Sequence, residues 1–180
     1  MSPYVCHPCP RSIQPRRAHI LYQMNEFPGR LAHQIPTWVK LGSIFHIRLR
    51  CNPAQGPPLI SEPLGNLLLD AFVHYHRSGR WFCRLALVMP DHVHALLAFD
   101  REAEMSRVIG TWKNYAARKL GVCWQSNYFD HRIRSPKELD AKEGYIRCNP
   151  VAKGLCIKTE EWAWVIAPPP EDYASGCAEK

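Results

Sequence analysis

The chain has 180 residues and a mass of 20.7 kDa, room for one domain with flanking segments and nothing larger. With 46% hydrophobic, 11% aromatic and 22% charged residues it can fill a core, which excludes a disordered, collagen-like or coiled-coil chain. A net charge of +7 and a pI near 9.1 favour an anionic partner such as nucleic acid over an acidic small substrate.

Residues 1–36 are rich in Pro and Arg, show no sustained period, and read as a basic, loosely ordered arm. Within it Cys6 and Cys9 flank His7 at zinc-ligand spacing, but no partner pair stands at zinc-finger distance. The eight cysteines, scattered through a full-sized domain, read as reduced thiols. The opening MSPYVCHPCP lacks the apolar run of a signal peptide, and no stretch of 18 apolar residues follows. The expectation is a soluble cytoplasmic protein with no membrane partner.

A folded domain is expected over 37–166 and a mobile tail over 167–180. From Trp38 to Arg50 the sequence alternates, with Ile44, His46, Arg48 and Arg50 opposite Phe45, Ile47 and Leu49, the pattern of a strand. SEPLGNLLLDAFVHYHRSGR places Leu64, Leu67, Leu68, Ala71, Phe72 and Tyr75 at helical spacing and stops near Gly79. WFCRLALVM and HVHALLAF, split by Pro-Asp, predict a hairpin. SRVIGTWKNYAARKLG predicts a second helix capped by Ser106 and stopped by Gly121. VCWQSNYFDHRIR alternates as a fourth strand, and SPKELDAKEGYIRCN predicts a third helix with Ser135 as N-cap and Pro136 at its first position. The order β-α-β-β-α-β-α is that of an α+β, ferredoxin-like split βαβ antiparallel sheet, with helices on a face and a further helix after the fourth strand.

Two small constellations carry chemistry. His92 and His94, two apart on a strand, project to one face and can grip one metal ion. Tyr145 and Asn149, four apart on a helix, share a face if the helix survives to Asn149 despite Pro150. A divalent ion held by His92, His94 and the Asn149 oxygen can polarise a phosphodiester, with Tyr145 as nucleophile. Since a phenol in water gives up its proton only at a pH of about 10, a nearby cation is needed to favour phenolate. A phosphotyrosine ester keeps the energy of the broken bond, so cleavage becomes reversible strand transfer.

The succession MPDHVHALL, TWKNYAARKL, WQSNYFDHRIR, YIRCNPVAKGL and EEWAW resembles that of the single-tyrosine HUH transposases, in particular the REP-associated tyrosine transposases, from Trp38 to Trp164. That resemblance implies a catalytic domain over 37–166. It implies Tyr145 as nucleophile and His92, His94 and Asn149 as ligands of Mg or Mn. It also implies single-stranded or hairpin DNA, REP-like repeats among it, as partner, processed by a monomer or homodimer. The family's sheet is ferredoxin-like, in keeping with the order of elements.

For DNA contact the sequence offers Arg107, Lys113, Arg118 and Lys119 on or beside the second helix and Arg132 and Arg134 on the fourth strand, with aromatics nearby. His131 alternates with Phe129 and Ile133, as a packed residue does. A non-catalytic nucleic-acid-binding module on the same sheet is the alternative, although such modules expose aromatics on their central strands where this chain shows two histidines. A zinc hydrolase lacks an evident third ligand and general base.

Overall fold

The computed structural model describes residues 40, 42–100 and 104–172. The basic arm over 1–36, with Cys6, His7 and Cys9, and the end of the tail at 173–180 lie outside the described residues.

The elements run β1 Ile44–Arg50, a 3-10 turn Pro53–Gln55, α1 Leu64–Arg77, β2 Phe82–Val88, β3 His92–Ala98, α2 Met105–Leu120, β4 Phe129–Arg132, α3 Pro136–Ala152 and β5 Val165–Ile166. The strands form one antiparallel sheet in the order β4-β1-β3-β2-β5. Its first four strands have the split βαβ arrangement: β1 and β2 run parallel with β3 between them, and β3 and β4 do so around β1. The fold is α+β, as the sequence predicts, and the two-residue β5 extends the β2 edge.

Alternation along the strands divides the interior into two cores. On one face Phe45, Ile47, Leu49, Val93, Ala95 and Leu97 pack against Leu68 and Phe72 of α1 and Ile109 and Trp112 of α2. On the other, Leu85, Leu87, Met89 and Leu96 pack against Ile146 of α3 and Trp162. The first two helices therefore cover one side of the sheet and α3 the other.

The third helix begins as its sequence dictates. Ser135 Oγ accepts a hydrogen bond from the Glu138 N–H at 3.2 Å, Pro136 takes the first position, and the helix continues through Asn149 and Pro150 to Ala152. The second helix departs from expectation at its start. Glu104 occupies the cap position without a side-chain hydrogen bond, and Ser106 falls inside the first turn. Burial of Met105, only 1% exposed, draws the helix start ahead of Ser106. Its end is as expected, with Gly121 at φ +72°.

Two strands are shorter than their alternation suggested. Gly42 at φ +76° and a turn in which the Ser43 N–H and Oγ both donate to the Lys40 carbonyl bend the chain just before Ile44. Ahead of β4, the carbonyls of Gln125 and Ser126 accept from the Lys113 ammonium at 2.6 and 3.0 Å rather than from a strand. The segment expected to form a tail starts out docked. Buried His76 donates from Nε2 to the Pro169 carbonyl at 3.1 Å, and Arg77 pairs with Asp172 at 2.9 Å.

The fully buried Ile146 is the main apolar tie between α3 and the sheet. Ile146→Ala is expected to lower unfolding free energy by about 2–4 kcal/mol in urea titrations. A loss under about 1 kcal/mol, the level of a surface change, would show that α3 is docked by something else.

Candidate active site

The register of the sheet assembles the polar face beneath α3. Arg48 of β1 lies opposite His94 of β3 and, on its other side, opposite Phe129 of β4. One step along, Arg50 faces His92; two residues the other way, His46 lies beside Leu96 and His131. Side chains directly opposite share a face, so His46, Arg48, Arg50, His92, His94, Phe129 and His131 all project to the side that α3 covers.

Three of these imidazoles are buried and linked. His92 Nδ1 lies 2.6 Å from Asp91 Oδ1, His92 Nε2 lies 3.1 Å from His94 Nε2, and His94 Nδ1 lies 2.9 Å from His46 Nε2. Burial is the main cause that keeps all three neutral. It pushes His94 down to about 2 and His46 to about 4, with the nearby Arg48 and Lys142 charges acting in the same direction. His92 is also lowered by burial, which outweighs the opposing pull of Asp91. Asp91's own burial works to raise its carboxyl, yet the His92 hydrogen bond and Arg50 hold it below the usual range.

Neutral imidazoles carry one N–H each, so proton placement along this chain is constrained. His92 Nδ1–H donates to the Asp91 carboxylate, leaving a lone pair on His92 Nε2. The chain then closes in one of two ways. Either His46 Nε2 donates to His94 Nδ1 and His94 Nε2 donates to His92, or His94 donates from Nδ1 to His46 and turns its Nε2 lone pair toward that of His92. In the second arrangement two lone pairs 3.1 Å apart repel unless a cation sits between them. Nitrogen ligands about 2.1 Å from one ion at right angles lie about 3.0 Å apart, so the spacing fits a shared ion. His46 Nδ1 has no hydrogen-bond partner, consistent with a ring whose single directed contact is made to His94.

The helix contributes Tyr145 and Asn149. The Tyr145 ring is 53% exposed, and its centroid lies 6.1 Å from that of His94 at an interplanar angle of 77°. Lys142, one turn earlier, places its ammonium 5.3 Å from the Tyr145 ring centroid. Asn149 is buried and donates from Nδ2 to the Tyr145 carbonyl at 3.0 Å. That carbonyl can only accept, which fixes the amide's orientation and leaves Oδ1 as the free oxygen. No hydrogen bond joins Asn149 to either histidine. Among the described residues no three His, Cys, Asp or Glu side chains converge as a metal-binding group. An ion here would therefore need the mixed set of two imidazoles and an amide oxygen.

The cations picked out for DNA contact lie elsewhere. Arg107, Lys113, Arg118 and Lys119 belong to α2, which packs on the opposite face of the sheet, and the Lys113 ammonium is engaged with the carbonyls of 125 and 126. Arg132 lies opposite Phe45 and so projects to that same far side. Arg134 is exposed beyond the end of β4, where its backbone N–H donates to Glu138. His131 also pairs with Glu138, at 2.7 Å. The polar residues that flank the histidine pair are His46, Arg48, Asp91 and Lys142. In the sequence His46 and Arg48 already share a face of β1, but only the pairing of β1 with β3 brings them beside His94.

No protein-family model matches the sequence, and no curated protein does. Among solved structures the chain is similar to a REP-associated tyrosine transposase bound to a REP hairpin. The superposition has a TM-score of 0.61 at 18% identity and covers 73% of this chain and 81% of that one. The likeness shows a shared fold, the one the sequence resemblance implied. A Deinococcus radiodurans R1 protein assigned as a transposase superposes more loosely, with a TM-score of 0.46 at 14% identity over 61% of this chain and 92% of that one.

Because His46 and His94 stay neutral in the fold far below 6.5, the unfolded chain binds protons there that the folded chain does not. Stability therefore falls as pH drops below about 6.5 and continues to fall toward pH 4. With chelator present, unfolding free energy should be level above about pH 7 and decline through that window. His46→Phe should make the decline shallower; an unchanged slope would mean that His46 is not held neutral by the fold.

Proposed function

We propose that this chain is a DNA-cleaving and strand-transferring enzyme of the REP-associated tyrosine transposase kind, acting on single-stranded or hairpin DNA through Tyr145. The observation that carries this reading is the meeting of Tyr145 with His94 inside one chain, with Asn149 one turn further along the same helix. The shared fold with a transposase bound to a DNA hairpin supports it, as does the basic charge of the whole chain.

A divalent cation, Mg or Mn, held by His92 Nε2, His94 Nε2 and Asn149 Oδ1 would polarise a non-bridging phosphate oxygen and offset the charge of in-line attack. The protein's own groups do the rest. Asp91 orients His92, and in the arrangement where His94 donates from Nδ1 to His46 both Nε2 lone pairs would face the same point. Tyr145, half open to solvent, can receive a phosphodiester from outside while Lys142 stands as a positive charge over its ring. The phenol gives up its proton, its oxygen bonds to phosphorus, and the bond to the 3′ oxygen breaks. That oxygen takes up a proton and leaves as a free 3′ hydroxyl. Attack by another 3′ hydroxyl on the tyrosyl ester reverses the sequence and joins a new strand. No second copy is needed to bring tyrosine and histidines together.

A non-catalytic nucleic-acid module is less well supported, because central strands β1 and β3 offer His46, Arg48, His92 and His94 to this face in place of stacking aromatics.

Tyr145→Phe keeps the half-exposed ring and removes only the attacking oxygen. It should fold and bind DNA yet form no covalent adduct with labelled hairpin DNA and Mn on a denaturing gel. Cleavage without an adduct in the wild type would point to activated water. An adduct that survives the substitution would assign another nucleophile. The His92→Ala, His94→Ala double variant should lose Mn binding in calorimetry, and unchanged binding would remove both residues from the site.

A further inference from the structure

The row that contains His94 continues across the sheet to a cation and an aromatic ring that the reaction above does not use. Phe129, Arg48 and His94 are successive cross-strand neighbours on β4, β1 and β3. The Arg48 guanidinium carbon sits 5.4 Å from the Phe129 ring centroid, and the ring meets His46 edge-on at 5.7 Å. Phe129 is 46% exposed, a large apolar ring left open to solvent beside the half-buried Arg48.

Arg48 is half-buried and, among the described residues, lacks an acid. Arg50 has Asp91 near it, Arg84 and Arg147 share Glu143, and Arg77 holds Asp172. Arg48 makes no ion pair among the described residues, and its Nε is enclosed without a hydrogen-bond partner. A half-buried cation without an acid is costly, and the cost is relieved when an anion of matching shape arrives. A guanidinium matches a phosphate, to which it can donate two parallel hydrogen bonds.

We infer that Arg48 and Phe129 form a nucleotide subsite beside the histidine pair, Arg48 gripping a backbone phosphate and Phe129 stacking on the base next to the scissile bond. Adjacent strands are about 4.8 Å apart, so Phe129 is anchored roughly 10 Å from His94. The ligand class is unpaired DNA, because a base still stacked in a duplex cannot offer its face to a side chain. Arg48 lies over one face of the ring, and the base would stack on the other. This inference rests on the reading of the site as a DNA-processing centre and adds where the strand runs: from the Tyr145 edge across β1 to β4.

The test uses the full chain in EDTA, so that neither metal nor the tyrosine reaction enters. A single-stranded oligothymidylate carrying 2-aminopurine at successive positions is titrated over a salt series, and circular dichroism confirms folding. Phe129→Ala is expected to weaken binding on the order of ten- to a hundredfold and to abolish the quenching of one 2-aminopurine position. Phe129→Leu, which keeps apolar bulk, should lose the quenching as well, and Phe129→Trp should retain it. Arg48→Gln should reduce the salt slope by about one phosphate contact. Variants that bind and quench like wild type would overturn the subsite while leaving the Tyr145 reading intact. Failure of the wild type to bind a single strand would overturn both. A concentration-dependent dimer in sedimentation that Phe129→Ala abolishes would assign the ring to self-association and overturn the inference.

Discussion

The antiparallel pairing of β1 with β3, in the register that sets Arg48 beside His94, is the constraint from which the rest of the site follows. Alternation along a strand means that a slip of one residue exchanges its two faces. In β1 such a slip would drive His46 and Arg48 into the core that holds Phe45, Ile47 and Leu49 and expose those three side chains to the polar side. The burial of three large apolar residues therefore locks the register, and with it the hydrogen bond between His46 and His94. The same core that stabilises the sheet thus positions the imidazoles on its opposite face.

Burial also sets the electrostatics. Three buried neutral imidazoles, each with one N–H and one lone pair, offer hydrogen bonds but no charge, while Arg48, Lys142 and Arg50 surround them with positive charge. Asp91 is the acid hydrogen-bonded to the cluster, and it is engaged by His92. On the proposed reading, neutral imidazoles, flanking cations and one committed carboxylate would favour a phosphodiester, and a divalent ion would enter more readily with phosphate oxygens beside it. α3 closes the arrangement from above, docked by Ile146, so that Tyr145 stands at the rim with its ring half in solvent.

Local signals in the sequence carried much of this. Side-chain alternation marked both faces of β1, the Pro-Asp break marked the β2–β3 hairpin, and Ser135 with Pro136 marked the start of α3, because each depends on residues close in the chain. The H-x-H pair, the Tyr145–Asn149 spacing and the family resemblance together singled out the residues of the proposed site. What escaped depends on partners far apart in sequence. Burial of Met105 overrides Ser106 as a cap, and a lysine on α2 takes the carbonyls that would have extended β4. His46 and Arg48 were visible as strand residues, but their place beside His94 requires a partner 46 to 48 residues away. The cations of α2 stand on the other side of the sheet from the histidines, a placement that helical periodicity alone does not give. Among the described residues Cys51, Cys83, Cys123, Cys148 and Cys156 form no disulfide with one another. Among the described residues no helix is long and apolar enough to cross a membrane.

Neighbouring hydrogen bonds are proposed to aim the Nε2 lone pairs of His92 and His94 at one cation, and the whole reading of the site turns on that. Pulsed electron paramagnetic resonance of Mn added to protein with 15N-labelled histidine, in the presence of a non-cleavable single-stranded oligonucleotide, tests it directly. Hyperfine coupling to two imidazole nitrogens is expected, reduced to one in His94→Ala and in His92→Ala. Coupling to no histidine nitrogen, or two couplings that persist in either variant, would contradict it.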